Sequence, residues 1–337
     1  MTSPAQLIGS SSIFLDAVER ASAAAALNRP VLVIGERGTG KELIAERLHR
    51  LSPRWGGPLI SLNCAALPET LIDAELFGYE AGAFTGAQRA RAGRFEDADG
   101  GTLFLDEIAT LSPAAQERLL RVVEYGELTR IGSNRVLKVD VRLVGATNED
   151  LPGLVEAGRF RADLLDRLSF EVVTLPPLRE RAEDIAVLAS HFARRMAAEL
   201  GWPRFPGFTK GVLEALESHS WPGNIRELKN TVERSLYRWG DDETPVGRLV
   251  LDPFESPWRP LPRAASARAD VAPASVAEAS HDDVSDLRAA VLAHERAILV
   301  ATLKRCRHNQ RRTATALSLS YDQLRHCLKR HDLLAAE

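Results

Sequence analysis

The sequence has little that would tie it to a membrane, an oxidising compartment or a structural metal. No apolar run among its 337 residues approaches the ~18 needed to span a bilayer. Met1-Thr2-Ser3-Pro4 has no basic start leading into an apolar stretch. A cytoplasmic location without membrane insertion is therefore expected. Cysteine is scarce: Cys64, Cys306 and Cys327 are odd in number and form no CxxC pair, which suits a reducing cytosol and leaves no zinc framework. No internal repeat is visible.

What remains is an ordinary soluble composition, 45% hydrophobic and 26% charged, with length for two or three domains. The net charge of −3 conceals an asymmetry. Leu287 to Glu337 hold ten Lys/Arg against four Asp/Glu, a net of +6, which leaves 33 basic and 42 acidic residues, a net of −9, in the rest. An acidic body with a basic C-terminal end points to a polyanion partner there.

Short apolar runs alternate with helical stretches: Val31–Ile34, Leu59–Leu62, Thr102–Leu105, Val141–Val144 and Glu171–Thr174. Runs of this kind predict parallel strands covered on both faces, so residues 1–175 read as a doubly wound α/β sheet. Pro176-Pro177 ends the pattern. Helical periodicity from Glu183 to Trp239 predicts a small helical subdomain at 176–240, with Asn224 placed to cap its last helix. Residues 253–285, rich in Pro, Ala and Ser, read as a flexible linker, and 286–337 as a further helical domain.

Gly35-Glu36-Arg37-Gly38-Thr39-Gly40-Lys41 follows the first strand and precedes the helical run from Glu42. In that context glycines let backbone N–H groups turn onto phosphates, a helix N-terminus adds a favourable dipole and Lys41 adds charge. Glu42 stands where a Ser or Thr is usual, so magnesium is expected to use another oxygen, with Thr39 as candidate, or to stay hydrated. Asp106 and Glu107 follow a buried strand at the end where ligands bind in such sheets. Asp106 is placed to hold Mg2+, and Glu107 to orient the attacking water. Between these elements lies Gly82-Ala83-Phe84-Thr85-Gly86-Ala87, an aromatic on a glycine-hinged loop without an apolar face, better suited to a partner than to a core.

Asn309 to Leu334 read as helix, tight turn, helix, with Ser318-Leu319 at the turn and Ser320 capping a helix from Tyr321 to His331. Its polar face carries Tyr321, Asp322, Gln323, Arg325, His326, Lys329 and Arg330, which fits a recognition helix in the major groove of double-stranded DNA. A helical hairpin for protein contacts is the competing reading.

With the hexapeptide between the phosphate loop and the acidic strand, the chain resembles the AAA+ ATPases, and among them the bacterial enhancer-binding activators of sigma-54 RNA polymerase. The resemblance runs from residue 6 to about 237. It implies an AAA+ sheet with a helical lid and a C-terminal Fis-type helix-turn-helix, ATP and Mg2+ as cofactors, and a homo-oligomer, a hexamer when active. It implies that Asn63 is a switch residue holding the catalytic glutamate, and that Thr147 and Asn148, which end the strand Val141–Ala146, sense the γ-phosphate. Arg161 and Arg167 would be fingers given to the neighbouring subunit, Arg226 a second sensor and Ile8 part of the strip against the adenine. Gly82 to Ala87 would engage sigma-54, supported by a second insertion near Arg130–Asn134. Spacing alone instead favours surface pairing of Arg161 and Arg167 with Asp163 and Asp166, and core packing explains Ile8 equally well.

Gly35 comes so early that no sensing domain is expected ahead of it, and control is expected in trans. Within the family, Arg54-Trp55, Arg89–Phe95 and Phe160–Arg181 resemble the activators of the phage shock operon. That implies upstream activating DNA as target and a phage shock protein A-type negative regulator, with Trp55 either its contact or partly in the core. The alternative is a regulator of a different operon with the same mechanism. A plain DNA-binding regulator with a degenerate ATP site is opposed by Lys41, Asp106, Glu107, Arg161 and Arg167. An unfoldase or helicase loader is opposed by the hexapeptide and the C-terminal helices.

Overall fold

A computed structural model describes residues 7–256, 258, 286–306, 309–331 and 333. The chain divides into two compact units, with the break after Phe254. Most of the linker expected at 253–285 lies outside the described residues.

The first unit runs α1 (Ser12–Ala25), β1 (Val31–Ile34), α2 (Lys41–Arg50), β2 (Leu59–Asn63), α3 (Glu69–Phe77), α4 (Arg94–Asp97), β3 (Thr102–Asp106), α5 (Pro113–Tyr125), β4 (Glu127–Thr129), β5 (Val136–Lys138), β6 (Arg142–Thr147), α6 (Leu151–Glu156), α7 (Ala162–Leu168) and β7 (Glu171–Thr174). Five strands form a parallel sheet in the order β2-β3-β6-β1-β7. Alternation along each strand feeds two cores. Leu32, Leu103, Leu105 and Leu143 pack with the residues of α3, α5, α6 and α7. Val31, Val33, Phe104, Val144 and Ala146 pack against α1 and α2. The result is the expected αβα sandwich.

The sequence reading needs two corrections here. β2 is an edge strand with Ser61 and Asn63 exposed, so it is not covered on both faces. β6 runs Arg142–Thr147, one residue later at each end than the strand read as Val141–Ala146. It starts on Arg142, which is buried because its guanidinium donates to the carbonyls of Ala24 (2.9 Å), Ala25 (2.9 Å) and Leu48 (3.4 Å), closing the C-terminal ends of two helices. β4 and β5 form an antiparallel hairpin that periodicity did not indicate, because three-residue strands carry too few alternations to read.

The helical half of this unit comprises α8 (Glu183–Glu199), α9 (Lys210–Ser218) and α10 (Asn224–Trp239). Their apolar faces close over Trp221, fully buried with its indole N–H donated to Leu216 O at 2.8 Å. Asn224 is not the cap of α10. Gly223 holds that position, and Asn224 is buried in the left-handed region at φ 53 with its side chain spent elsewhere.

The second unit has α11 (Leu287–Arg305), α12 (Gln310–Ala316) and α13 (Tyr321–Arg330), around Leu299, Leu303, Ala314, Leu324 and Leu328. Ser320 caps α13 in a reciprocal box with Gln323. Ser318, in place of the usual turn glycine, takes φ 54, so the turn keeps the left-handed residue it needs. Among the described residues no helix is long and apolar enough to cross a membrane.

Candidate functional site

A cleft of about 600 Å³ opens where the C-terminal ends of the parallel strands meet the helical half. Arg37, Gly38, Gly40, Lys41 and Glu42 line it from the loop after β1, Asn63, Asp106 and Glu107 from the strand ends, and Arg226, Lys229 and Asn230 from α10. Its size suits a nucleotide. The separations 41 to 63 and 63 to 106 collapse here because parallel strands deliver all their C-terminal ends to one edge, and residue 226 is brought in by α10.

Lys41 is buried, its Nζ donating to Gly35 O at 2.9 Å. Burial pushes its pKa down, and the carboxylates of Glu107 and Asp106 push back. Glu107 stands in the left-handed region at φ 55, a conformation that non-glycine residues keep only where surrounding structure holds it. Its N–H donates to Asp106 Oδ1 at 3.1 Å, which fixes the two acids against each other. Next to them Cys64 is buried and its thiol is pushed up to about 12, by burial first and then by Asp106 and Glu107. Among the described residues no set of three His, Cys, Asp or Glu could hold a metal unaided. One carboxylate plus phosphate oxygens is the way magnesium is usually held, and Asp106 fits that requirement.

Several expected roles change on contact with the geometry. Asn63 does reach an acid, but Nδ2 donates to Asp106 Oδ2 at 3.1 Å, not to Glu107. Thr39 does not line the cleft: it is buried and its hydroxyl donates to Glu36 O at 2.8 Å. Glu36 is not turned to a phosphate. Its carboxylate takes the Arg179 guanidinium at 2.7 and 3.0 Å and Asn224 Nδ2 at 3.1 Å, and these partners, Arg179 first, hold its pKa below the usual range. Thr147 is buried with its hydroxyl accepting from Glu149 N, while Asn148 is exposed at the strand end, and neither lines the cleft. Ile8 packs, half-buried, against the helical core. Lys229, Asn230 and Arg179 were missed, because charged residues on a helix face or in a turn carry no local mark of what they face.

Arg161 and Arg167 also lie outside the cleft. Arg161 is held by Asp163 at 2.6 and 3.0 Å, the surface pairing that spacing favoured, whereas Arg167 pairs with Glu124 at 2.6 Å, not with Asp166. Both remain largely exposed.

Gly82 to Ala87 form a closed turn, Gly82 N donating to Ala87 O at 2.7 Å. Phe84 is 43% exposed and meets Tyr79 edge-on at 5.0 Å, and Thr85 is exposed. Ala87 differs from its neighbours: it is buried, so it anchors the turn and is not presented with the rest. The turn rests on the β4–β5 hairpin. Glu80 N donates to Ile131 O and Ile131 N to Gly78 O, both at 3.0 Å, while Arg130 pairs with Glu80 (3.1 Å) and Glu96 (2.6 Å).

On α13, Asp322, Arg325, His326 and Lys329 are exposed. Ser320 and Gln323 are spent on the cap, Tyr321 bonds Gln310 (3.2 Å) and Arg330 pairs with Glu295, so these four are less open to a partner than the sequence suggested. Trp55 is 72% exposed, which removes the core reading.

Comparison with known proteins agrees with this geometry. The sigma-54 interaction domain family matches residues 7–174, and the AAA+ ATPase lid domain family matches 179–249. The chain is 54% identical to the Psp operon transcriptional activator of Escherichia coli (strain K12) over 327 residues, 97% of this chain and 98% of that protein. It is 54% identical to the Nif-specific regulatory protein of Azotobacter vinelandii over 208 residues, 62% of this chain and 40% of that one. Among solved structures, NtrX from Brucella abortus in complex with ADP superposes with a TM-score of 0.68 at 30% identity, over 97% of this chain and 70% of that chain. The same protein in complex with ATP gives 0.68 at 31% identity, over 97% and 69%.

Proposed function

This chain belongs to the family of sigma-54-dependent AAA+ activators, and on that premise we propose that it turns over ATP to drive the Gly82–Ala87 turn against sigma-54 at the phage shock operon. One observation carries the reading: Lys41, Asp106 and Glu107 meet in a single cleft, in the same compact unit that presents Phe84 and Thr85 to solvent. Lys41 and the loop N–H groups would take the phosphates, Asp106 would hold Mg2+ and Glu107 would orient water. Bound magnesium supplies neutralisation of phosphate charge there. Asn63, bonded to Asp106 in this conformation, sits where a γ-phosphate could compete for it.

Arg161 and Arg167, exposed and outside their own cleft, suit donation to a neighbour's nucleotide, which calls for a ring of copies, a hexamer by family. Moving a turn from a 1:99 to a 99:1 equilibrium needs ~5 kcal/mol of differential binding. In the second unit, α12, the turn at Ser318 and α13 have the order of a helix-turn-helix, and the net charge of +6 over 287–337 favours double-stranded DNA. Arg325, His326 and Lys329, exposed on α13, would contact bases and phosphates. The 54% identity to the Psp operon activator supports the phage shock operon as target; a phage shock protein A-type inhibitor, with exposed Trp55 as its contact, is the regulator proposed with it.

The decisive measurement is open-complex formation on a sigma-54 promoter with purified holoenzyme and ATP. Thr85→Ala is expected to keep ATPase activity and to lose open complexes by more than tenfold (over ~1.4 kcal/mol). Normal activation by that variant would remove the assignment of the turn.

A further inference from the structure

The carbonyls of the phosphate loop are held in series, and the helical half supplies three of the donors. Lys41 Nζ donates to Gly35 O (2.9 Å) and Thr39 Oγ1 to Glu36 O (2.8 Å) from within the loop. Asn224 Nδ2 donates to Arg37 O (3.1 Å), the N–H of Ile225 to Gly38 O (3.0 Å) and Arg181 Nη2 to Thr39 O (3.5 Å). An anion-binding loop needs this arrangement, with carbonyl dipoles turned outward and N–H groups left for the phosphates. The approach is so close that a side chain at Gly38, itself at φ 80, would collide with Gly223 O.

Asn224 is the joint. It is fully buried, and its Oδ1 accepts from Leu178 N at 2.8 Å, which orients the amide and leaves Nδ2 as donor to Arg37 O and to Glu36 Oε2. Glu36 then grips Arg179, the residue after Leu178, so a ring of bonds closes between the loop and the base of the helical half. Asparagine suits the site on two counts: it tolerates φ 53, and it offers an acceptor and a donor at once. Asn224 does not line the cleft.

We propose that Asn224 is a positioning residue for ATP binding: from the helical half it holds the phosphate loop in its anion-accepting shape and ties that shape to the Glu36–Arg179 pair. This rests on the reading of the cleft as the ATP site. Its consequence is that any shift of the helical half reaches the loop through Asn224, without a contact to nucleotide.

The full chain tests this through ATPase kinetics, binding of a fluorescent ATP analogue and thermal melting. Asn224→Asp keeps the acceptor for Leu178 N and tolerates the backbone angle, but puts a carboxylate against Glu36 and Arg37 O. KM and Kd for ATP are expected to rise roughly tenfold or more, with kcat at saturation within about twofold. Combining Glu36→Gln with Asn224→Asp pairs an amide donor with the new carboxylate, and KM is expected back within about threefold of the parent. A KM within about twofold of the parent in Asn224→Asp, or equal losses in KM and kcat that the double change does not repair, overturns the proposal. Should Asn224→Asp not fold, Glu36→Ala at its half-buried position is expected to raise KM about threefold, and an unchanged KM there overturns it equally. Lys41→Ala separates the two readings: hydrolysis that survives it would remove the cleft assignment, whereas a normal KM in Asn224→Asp removes only the role of Asn224.

Discussion

Asp106 and Glu107 place two like charges side by side at the end of β3, and the proposed function gives each its own task. The left-handed turn at Glu107 and the bond from its N–H to Asp106 fix the two residues in place, and Asn63 donates a hydrogen bond to the other oxygen of Asp106. Glu107→Gln is therefore expected to bind ATP normally and to lower kcat by about a hundredfold or more, measured by phosphate release. Unchanged turnover would move the base elsewhere. His49 makes a prediction on pH. It is buried against Thr102 Oγ1 (2.9 Å), and burial, then Arg142 and Arg50, push its pKa down. The unfolded chain takes up that proton near the ordinary value of about 6.5 and the folded one only below it. Stability from the neutral ring is thus complete above that value and lost as pH falls toward the depressed folded pKa. His191, shifted the same way by burial, adds to the loss. Melting temperature should drop from pH 7 to pH 5.5, less steeply in His49→Gln, and equal slopes in both chains would rule His49 out.

The presented turn and the β4–β5 hairpin behave as one element. Their backbone bonds through Gly78, Glu80 and Ile131 are few, and Arg130 clasps them by pairing with Glu80 and half-buried Glu96. Burial of Ala87 fixes one foot of the turn while Gly82 and Gly86, at φ 83 and 102 with open space around them, leave the tip free to change shape. Arg130→Ala should speed amide exchange at Glu80 and Ile131 roughly tenfold while global melting changes little. Equal protection in both proteins would mean that the clasp contributes nothing. The family resemblance pointed to the insertion near Arg130–Asn134 as a support for the turn, but not to the Glu80, Gly78 and Glu96 partners that make the contact, since these sit far from it in sequence.

For the molecule as a whole, the finger role proposed for Arg161 and Arg167 would make a single copy an incomplete ATPase. Neither Arg161 nor Arg167 lines its own cleft. Arg161→Ala and Lys41→Ala should each be inactive alone, yet regain ATPase activity when mixed, because an intact loop then meets an intact finger on a neighbour. A mixture as inactive as its parts would assign the fingers to the same chain.

The phosphate loop, the acidic strand end, the order of strands and helices and the basic C-terminal end were all legible in the residues, because each rests on local spacing, local charge or a motif with a backbone requirement of its own. The same reading misjudged Asn224 as a cap and did not foresee the bonds of Thr39 and Glu36 or the burial of Ala87. Their roles depend on partners brought across the strand ends and the helical half, and the partner, not the residue type, determines whether a polar side chain caps a helix, meets a ligand or holds a loop from behind. Local chemistry can be read along the chain; the choice among several possible hydrogen-bond partners belongs to the packed structure, where burial makes an unmade bond costly.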